Sequence, residues 1–528
     1  MSRNRWVPGL VGVLGLLVVL ASPGAASARG GTSAEAALPA LTGELSDATL
    51  SGATVDPPSP ECTPRSTPIA QGPATLVADT VVPNTGGRLL HVVLDSPAMG
   101  ADVNNYVLLP ENYDPSGATR YPVLYLLHGA AGSYVDWIDS GDAESLIDST
   151  SASDHLAPFI TVMPDGGSWG FYSDWYGENA ATSSSTPPPA YTTYDIHELI
   201  PWIDANFPTI PSRRYRAIAG LSMGGFGSMS YAARYPDLFS VAGSFSGAVD
   251  TDLDYPIGNE GLTAISAGFT GGTLNACVWG DPITDDVNWR AEDPTYLASN
   301  LENTDLFVAS GDGVPGPYDD ADSDAAGSVE AVIWQMNKAF VANLSSNDIP
   351  YTSYFYGPGT HSWPYWQRDL VHFLPLMEDA FAHPTATPPR VPFSYRTDQT
   401  TFTQWGWQFA TDNPATEFTY LSDVDRTGLE AIGSGTLSVR TPALYRPHTA
   451  YVVTVQTTEN SVGSGAQLAT GGATADTTTK TVESSAAGEL SFGVDLGAPR
   501  DVQQMRFAAD GDPPSNWDRA DVTIQRAG

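Results

Sequence analysis

Residues 215–225 read YRAIAGLSMGG, which is the clearest structural signal in this chain. Residues 215–219 are mostly apolar and predict a β-strand, and the run at 226–235 predicts a helix. Between them, the pattern G-x-S-x-G places Ser222 at the turn. A turn this tight leaves no room for side chains beside the serine, and it lifts the serine hydroxyl out of the sheet. We therefore predict a strand, a sharp turn and a helix, with Ser222 as a nucleophile.

The chain around this turn alternates strand-like and helix-like segments. Residues 121–127 (YPVLYLL) form a continuous apolar run, which is typical of a strand buried on both faces of a sheet. Further strands are predicted at 89–95, 103–109, 159–163, 241–246, 305–310 and 351–356, and helices at 196–207, 329–344 and 366–381. This alternation predicts an α/β domain with a mostly parallel central sheet over residues 76–383.

The pattern changes after a proline-rich linker at residues 384–392. From 393 to 528 helical periodicity disappears, and short alternating stretches occur at 436–440, 450–455 and 490–494. Such strands separated by Gly, Thr, Ser and Asp predict a C-terminal all-β domain of the sandwich type.

The first 75 residues differ in composition from the rest. Residues 1–28 begin with Arg3 and Arg5, continue with an apolar run and end in Ala-Ser-Ala, the pattern of a secretory signal peptide. Residues 29–75 are rich in Ala, Ser, Thr, Pro and Gly and predict a poorly ordered leader. We expect a secreted protein, extracellular or associated with the cell wall, with no transmembrane segment.

Charge and cysteine content bound the partners and the compartment. The net charge is −37, which repels nucleic acid, so we exclude nucleic acid as a partner. Cys62 and Cys277 are the two cysteines of the chain. In an oxidising compartment they are able to pair, and two free thiols are the alternative.

A serine hydroxyl needs a base within hydrogen-bond reach. Of the histidines that follow Ser222, His361 lies in the loop at 357–363 (GPGTHSW), directly after the last predicted strand. A loop at that place lies at the carboxyl edge of the sheet. We therefore predict that His361 is the general base, a role worth about 10²–10⁴ in rate.

The acid that orients the histidine has two candidates. Asp312 follows the strand at 305–310, and Glu330 opens the next helix. Both fit the chain order serine, acid, histidine, so the residues alone leave the choice open. The acidic run at 319–324 (DDADSD) lacks the spacing of a calcium loop and indicates a solvated loop. We expect neither a metal nor a cofactor.

An oxyanion formed at Ser222 needs backbone N–H donors. We predict one from Met223, which follows the nucleophile, and one from Ala130 in the loop after the YPVLYLL strand. In that loop, His128 is expected to orient the backbone and to transfer no proton.

Several motifs together resemble a known family. They are DSPAM at 95–99, FYSDWY at 171–176, AGLSMGG at 219–225, VWG at 278–280 and GTHSWPYW at 359–366. Residues 88–382 resemble the secreted mycolyltransferases and their esterase relatives, within the esterase D-like group of α/β hydrolases. The resemblance implies an α/β-hydrolase fold and a serine esterase or acyltransferase that forms an acyl-enzyme.

The resemblance also bears on individual residues. It places the acid in the helix before the last strand, which favours Glu330 and leaves Asp312 second. Trp363 and Trp175 are expected to wall the substrate pocket, with burial in the core as the alternative. Mycolyltransferases that use trehalose carry Asp-Gly-Leu-Arg in the oxyanion loop, whereas residues 128–131 read HGAA.

Three functions follow from these observations. The preferred one is a serine esterase or acyltransferase acting on a small-molecule, glycolipid or polysaccharide ester. The second is a carbohydrate esterase that removes acetyl or feruloyl groups, with Trp405 and Trp407 of the β domain binding glycan. The third is a cell-wall or adhesion protein without activity. In the first case the C-terminal domain is expected to associate with the cell wall.

Overall fold

The computed structural model describes residues 62–178, 188–251, 275–280, 285–319, 324–383, 392–412, 417–458, 475–498 and 518–528. The predicted signal peptide, the leader up to residue 61 and the linker except Pro392 lie outside the described residues. None of the described helices has both the length and the apolar character that crossing a lipid bilayer requires.

The α/β region contains eleven described strands and eight described α-helices. The strands are β1 (Thr63–Pro64), β2 (Thr75–Val81), β3 (Leu89–Ser96), β4 (Ala101–Leu108), β5 (Val123–Leu127), β6 (Ile160–Pro164), β7 (Gly177–Glu178), β8 (Arg216–Leu221), β9 (Val241–Phe245), β10 (Asp305–Ser310) and β11 (Thr352–Phe355). The helices are α1 (Asp136–Asp139), α2 (Ala143–Asp154), α3 (Ile200–Asn206), α4 (Met223–Arg234), α5 (Asn275–Trp279), α6 (Asp286–Glu292), α7 (Asp324–Ser346) and α8 (Trp363–Ala382). A π-helix, Thr193–Leu199, runs directly into α3.

Nine strands form one mixed, mostly parallel sheet. Their order is β11-β10-β9-β8-β5-β6-β4-β3-β2. The six strands from β11 to β6 are parallel, and β4, β3 and β2 continue the sheet antiparallel. Every residue of β5, β6, β8 and β9 is buried, which explains why these strands are mostly apolar and show no alternation of polar and apolar residues.

Both faces of this sheet are covered by packed side chains. In β5, Tyr125 and Leu127 belong to one buried cluster, whereas Leu124 and Leu126 belong to another. Successive side chains of a strand point to opposite faces, so the two clusters are the two faces of the sheet. Helix α4 contacts β8 and β9 on one face, and α8 contacts β9 and β10.

Helix α2 is the longest described helix that the sequence analysis does not predict. Its segment, AESLIDSTSASD, contains Leu146 and Ile147 as its only large apolar residues. Two adjacent apolar residues define no helical stripe, so the segment reads as a polar loop. The helix is stabilised by its packing against α8 and not by an apolar stripe in its own sequence.

The N-terminal segment is attached from Cys62 onward. The structure joins Cys62 and Cys277 in a disulfide with a Cα–Cα distance of 5.3 Å, and β1 pairs antiparallel with β7. The Arg65 guanidinium donates to the carbonyls of Pro188 and Pro189 at 2.6 and 2.8 Å. Residues 62–75 therefore differ from the poorly ordered leader expected for this part of the sequence.

Replacing Cys62 and Cys277 together by serine is expected to lower the free energy of unfolding by about 2–5 kcal/mol. The bond spans 215 residues of sequence, and removing it frees a long loop in the unfolded chain. Urea unfolding of the wild-type protein with and without reductant, beside the double variant, measures the effect. Reductant should leave the double variant unchanged, and a wild-type midpoint that is insensitive to reductant would contradict the prediction.

The C-terminal region consists of antiparallel strands in two sheets. The strands are β12 (Phe393–Thr397), β13 (Thr401–Gln404), β14 (Trp407–Thr411), β15 (Thr419–Asp425), β16 (Gly428–Gly433), β17 (Thr436–Arg440), β18 (Ala450–Thr458), β19 (Ala475–Glu483), β20 (Ser491–Asp495) and β21 (Asp518–Arg526). One sheet has the order β12-β15-β16-β21-β18-β19 and the other β13-β14-β17-β20. Buried side chains from both sheets form one apolar cluster.

This region packs directly on the α/β region. The amide of Asn300 donates to the Arg396 carbonyl at 3.0 Å, and the Arg396 N–H donates back at 2.9 Å. The hydroxyl of Tyr395 donates to the Arg234 carbonyl at 2.7 Å. These bonds attach β12 to the α/β region through both backbone and side chains.

Candidate active site

Ser222 lies on a strained turn between β8 and α4. Its φ is +52° and its ψ is −117°, a conformation that non-glycine residues rarely adopt. A Cβ on Gly220 would lie 2.5 Å from the backbone of Gly224, and one on Gly224 would lie 2.4 Å from the Leu127 carbonyl oxygen. The turn therefore requires glycine on both sides of Ser222, as the G-x-S-x-G pattern indicates.

The side chains of Ser222, His361 and Glu330 form a continuous hydrogen-bonded chain. His361 Nε2 lies 2.8 Å from Ser222 Oγ, and His361 Nδ1 lies 2.6 Å from Glu330 Oε2. Because a carboxylate only accepts, Nδ1 carries the proton, and Nε2 is left to accept the serine proton. The structure thus brings together three residues that are distant in sequence, in the arrangement of a nucleophile, a base and an orienting acid.

Glu330 is fully buried and held by several donors at once. Its Oε1 accepts from the Ser246 hydroxyl at 2.8 Å, the Ser310 hydroxyl at 2.9 Å and the Gly311 N–H at 2.8 Å. Oε2 remains for His361. A buried carboxylate with four donors is fixed in position, so it also fixes the imidazole plane.

Ser246 and Ser310 are site residues that the sequence analysis missed. Ser246 directly follows β9 and Ser310 ends β10, so both hydroxyls lie at the carboxyl edge of the sheet. Small hydroxyl residues at the ends of two neighbouring parallel strands are the signal that was present. This pattern identifies site residues only once Glu330, which accepts from both hydroxyls, is known to be the acid.

A second buried carboxyl lies near Glu330. The pKa of Asp369 is raised to about 8. Burial is the main cause and the charge of Glu330 adds to it, whereas the adjacent Arg368 acts in the opposite direction. The Arg368 guanidinium donates to Asp369 Oδ1 at 3.0 Å, so Arg368 partners this second carboxyl beside Glu330.

Asp312, the second candidate for the acid, is turned toward its own loop. Its Oδ1 accepts from the Val314 N–H at 2.9 Å, and its backbone N–H donates to the Gly357 carbonyl at 2.9 Å. The structure does not bring its carboxylate to His361, whose Nδ1 is already bonded to Glu330.

The loop predicted to supply an oxyanion donor packs against the nucleophile turn. A Cβ on Gly129 would lie 3.4 Å from the Ser222 Cβ, so the backbone beside Ala130 approaches the serine closely. Met223 is the first residue of α4, where backbone N–H groups have no partner within the helix. In the part of the chain that the structure describes, neither the Ala130 nor the Met223 N–H has an acceptor.

His128 orients this loop. Its Nδ1 lies 2.8 Å from the Gly129 carbonyl oxygen, and its Nε2 accepts from the Gly166 N–H at 2.9 Å. These two bonds define a neutral imidazole with the proton on Nδ1. Because the Gly129 carbonyl and the Ala130 N–H belong to one peptide plane, His128 also sets the direction of that N–H.

Trp363 and Trp175, the two tryptophans expected to line the substrate pocket, lie in different parts of the structure. Trp366 contacts the His361 ring edge-on at 4.9 Å between centroids, and Trp363 contacts Trp366 at 5.3 Å. Trp363 is partly exposed and lies one ring away from His361. Trp175 is instead buried in the main core, where its indole N–H donates to the Gly170 carbonyl at 3.1 Å.

The comparisons with known proteins match the α/β region. A family model described as "Putative esterase" matches residues 96–377, which contain Ser222, Glu330 and His361. The C-terminal strands from β12 onward lie outside the matched residues.

The chain is similar to several proteins of mycobacteria. It is 35% identical over 277 residues to the esterase Rv1288 of Mycobacterium tuberculosis, which covers 52% of this chain and 56% of that protein. It is 30% identical over 295 residues to the diacylglycerol acyltransferase/mycolyltransferase Ag85B of Mycolicibacterium smegmatis, covering 54% and 84%. Among solved structures, MPT51 of M. tuberculosis matches with 23% identity and a TM-score of 0.44, covering 58% of this chain and 99% of that one.

Proposed function

We propose, since this chain belongs to the esterase family, that it cleaves carboxylic esters through an acyl-enzyme formed on Ser222. The observation that carries the proposal is the chain of two hydrogen bonds, 2.8 and 2.6 Å long, from Ser222 through His361 to Glu330. The match covers only about half the length of the first mycobacterial esterase, so the proposal concerns the α/β region.

Each step of the reaction has a residue suited to it. His361 Nε2 takes the proton from Ser222 as Oγ attacks the ester carbonyl, and the N–H groups of Ala130 and Met223 stabilise the oxyanion. The protonated His361 then donates that proton to the leaving alcohol, and the acyl-enzyme remains. Water or another hydroxyl next loses a proton to His361 and attacks the acyl carbonyl. His361 then returns that proton to Ser222 Oγ as the acyl C–Oγ bond breaks, which regenerates Ser222.

The oxyanion loop bears on the acceptor of the acyl group. Residues 128–131 read HGAA and lack the Asp and Arg that trehalose-using mycolyltransferases carry there. We therefore expect trehalose to leave the rate of p-nitrophenol release from p-nitrophenyl esters unchanged. A series of esters with graded acyl chains, each measured with and without trehalose, tests this, and a rate that rises with trehalose would favour a mycolyltransferase.

The organisation of the whole chain completes the proposal. We take residues 76–383 as the catalytic domain and residues 393–528 as a β-sandwich domain, on the basis of its two sheets around one apolar cluster. We take residues 1–28 as a signal peptide that directs secretion, with cleavage between Ala28 and Arg29. N-terminal sequencing of the protein recovered from culture medium tests the cleavage site.

The two alternative functions have less support. Trp405 and Trp407 are only 9% and 3% exposed, so neither offers an open ring on which a glycan could stack. A scaffold without activity would have no need for the bonds that join Ser222, His361 and Glu330. We therefore retain the serine esterase or acyltransferase.

A further inference from the structure

The carboxylate of Asp319 connects the loop after β10 to the loop that carries His361. Its Oδ1 accepts a hydrogen bond from the Thr360 hydroxyl, and its Oδ2 accepts from the Tyr365 hydroxyl at 2.6 Å. The Gly316 N–H donates to the same Oδ2 at 2.7 Å. Bonds of this kind, with a charged acceptor, are roughly twice as strong as neutral ones.

The other contacts of the histidine loop hold mainly its first half. The Gly359 N–H donates to the Val314 carbonyl at 2.7 Å, and the Gly359 carbonyl accepts from the Gly313 N–H at 3.0 Å. Nearer the imidazole, the His361 N–H makes one longer bond, 3.2 Å, to the Ala326 carbonyl. The side-chain bonds to Asp319 therefore lie on either side of His361, from Thr360 directly before it and from Tyr365 in the first turn of α8.

The environment of Thr360 makes its bond to Asp319 hard to replace. Thr360 is fully buried, so no bulk water reaches its hydroxyl. Burial raises the pKa of Asp319, but the bonds from Gly316, Thr360 and Tyr365 together hold it below its usual value. The carboxyl is therefore ionised at neutral pH and serves as an acceptor for all three donors.

We propose that Asp319 is a positioning residue that holds His361 in place against Ser222, acting through Thr360 and Tyr365. This role rests on the proposed function, because it acts on the base of that reaction. Asp319 touches neither Ser222 nor the imidazole, so its effect is on geometry. A displacement of about 1 Å in a reacting group costs about 10²-fold in rate.

Asp319→Asn is expected to lower kcat for p-nitrophenyl acetate by about 10- to 100-fold, with KM unchanged. The asparagine amide is uncharged and has one acceptor oxygen where the carboxylate has two, so the charged bonds to Thr360, Tyr365 and Gly316 are weakened or reversed in direction. The downfield ¹H resonance of the His361 Nδ1 proton, bonded to Glu330, should weaken or shift in the variant. The midpoint of urea unfolding shows whether the variant is folded.

Two further sets of variants separate positioning from general stability. Thr360→Val should lose activity as Asp319→Asn does, Thr360→Ser should retain it, and the double variant Asp319→Asn/Thr360→Val should lose little more than either single one. Asp312→Asn is the matched control, because Asp312 lies on the same loop and, among the residues that the structure describes, its carboxylate accepts only from the Val314 N–H. Its kcat and its imidazole resonance should remain those of the wild type.

The outcomes distinguish this inference from the proposed function. Wild-type kcat in Asp319→Asn, together with an unchanged imidazole resonance, overturns the positioning role while leaving the esterase proposal intact. If the wild-type protein turns over no ester, the proposed function fails. In that case the imidazole resonance of wild type and variant still decides whether Asp319 holds His361.

Discussion

Ser222→Ala is expected to lower kcat for p-nitrophenyl butyrate about 10⁶-fold, to the level that substrate binding and the oxyanion donors maintain without a nucleophile. The hydroxyl lies 2.8 Å from His361 Nε2 and is the only atom of that side chain able to form an acyl-enzyme. A fluorophosphonate should label the wild-type protein on the peptide that contains Ser222. The same reagent should leave the alanine variant unmodified.

Ser228→Ala provides a matched control for this substitution. Ser228 is also buried in α4, but its hydroxyl donates to the Gly224 carbonyl within the helix, at 2.7 Å. Its removal should leave both turnover and labelling unchanged. Labelling or turnover that persists in Ser222→Ala would show that another residue is the nucleophile.

Glu330→Gln is expected to lower kcat about 10⁴-fold. A glutamine amide placed with its N–H toward His361 would donate to Nδ1, which moves the ring proton to Nε2. An Nε2 that carries a proton no longer accepts one from Ser222. The glutamine oxygen is still able to accept from Ser246, Ser310 and Gly311, so the variant should fold, and urea unfolding checks this.

Asp312→Asn is the partner experiment for the choice of acid. Within the described part of the chain its carboxylate accepts from the Val314 N–H alone, so the variant should turn over p-nitrophenyl butyrate as the wild type does. Steady-state kinetics of the two variants on one substrate make the comparison. Loss of activity in Asp312→Asn with an active Glu330→Gln would reverse the assignment.

Much of the α/β architecture can be predicted from the sequence because its central strands are buried on both faces. β5 and β8 carry no polar alternation, and β10 begins and ends at the residues the pattern predicts. Helix α2 cannot be predicted from its own polar sequence, because the helix is stabilised by packing against α8. The composition of residues 62–75 is typical of flexible leaders, and the possible pairing of Cys62 with Cys277 is the signal in the sequence for their attachment.

The residues of the candidate site likewise fall into those that the sequence predicts and those that it does not. Ser222 and His361 were located from local signals, namely a glycine-flanked turn and a loop directly after the last strand. Glu330 and Asp312 both have the right place in the chain order, and only the bond between Glu330 and His361 separates them. The acidic run that begins at Asp319 predicts a solvated loop, whereas in the structure the Asp319 carboxylate accepts hydrogen bonds from Thr360 and Tyr365.

The sequence predicts some of these features and not others because the interactions that form them act over different ranges of the chain. The strain at Ser222 arises within a few residues, so the glycines beside it are enough to specify that turn. The contacts from His361 to Ser222 and to Glu330 span 139 and 31 residues of sequence, and that from Thr360 to Asp319 spans 41. Such distances depend on how strands and helices pack across the whole sheet, so they emerge only when the chain is folded.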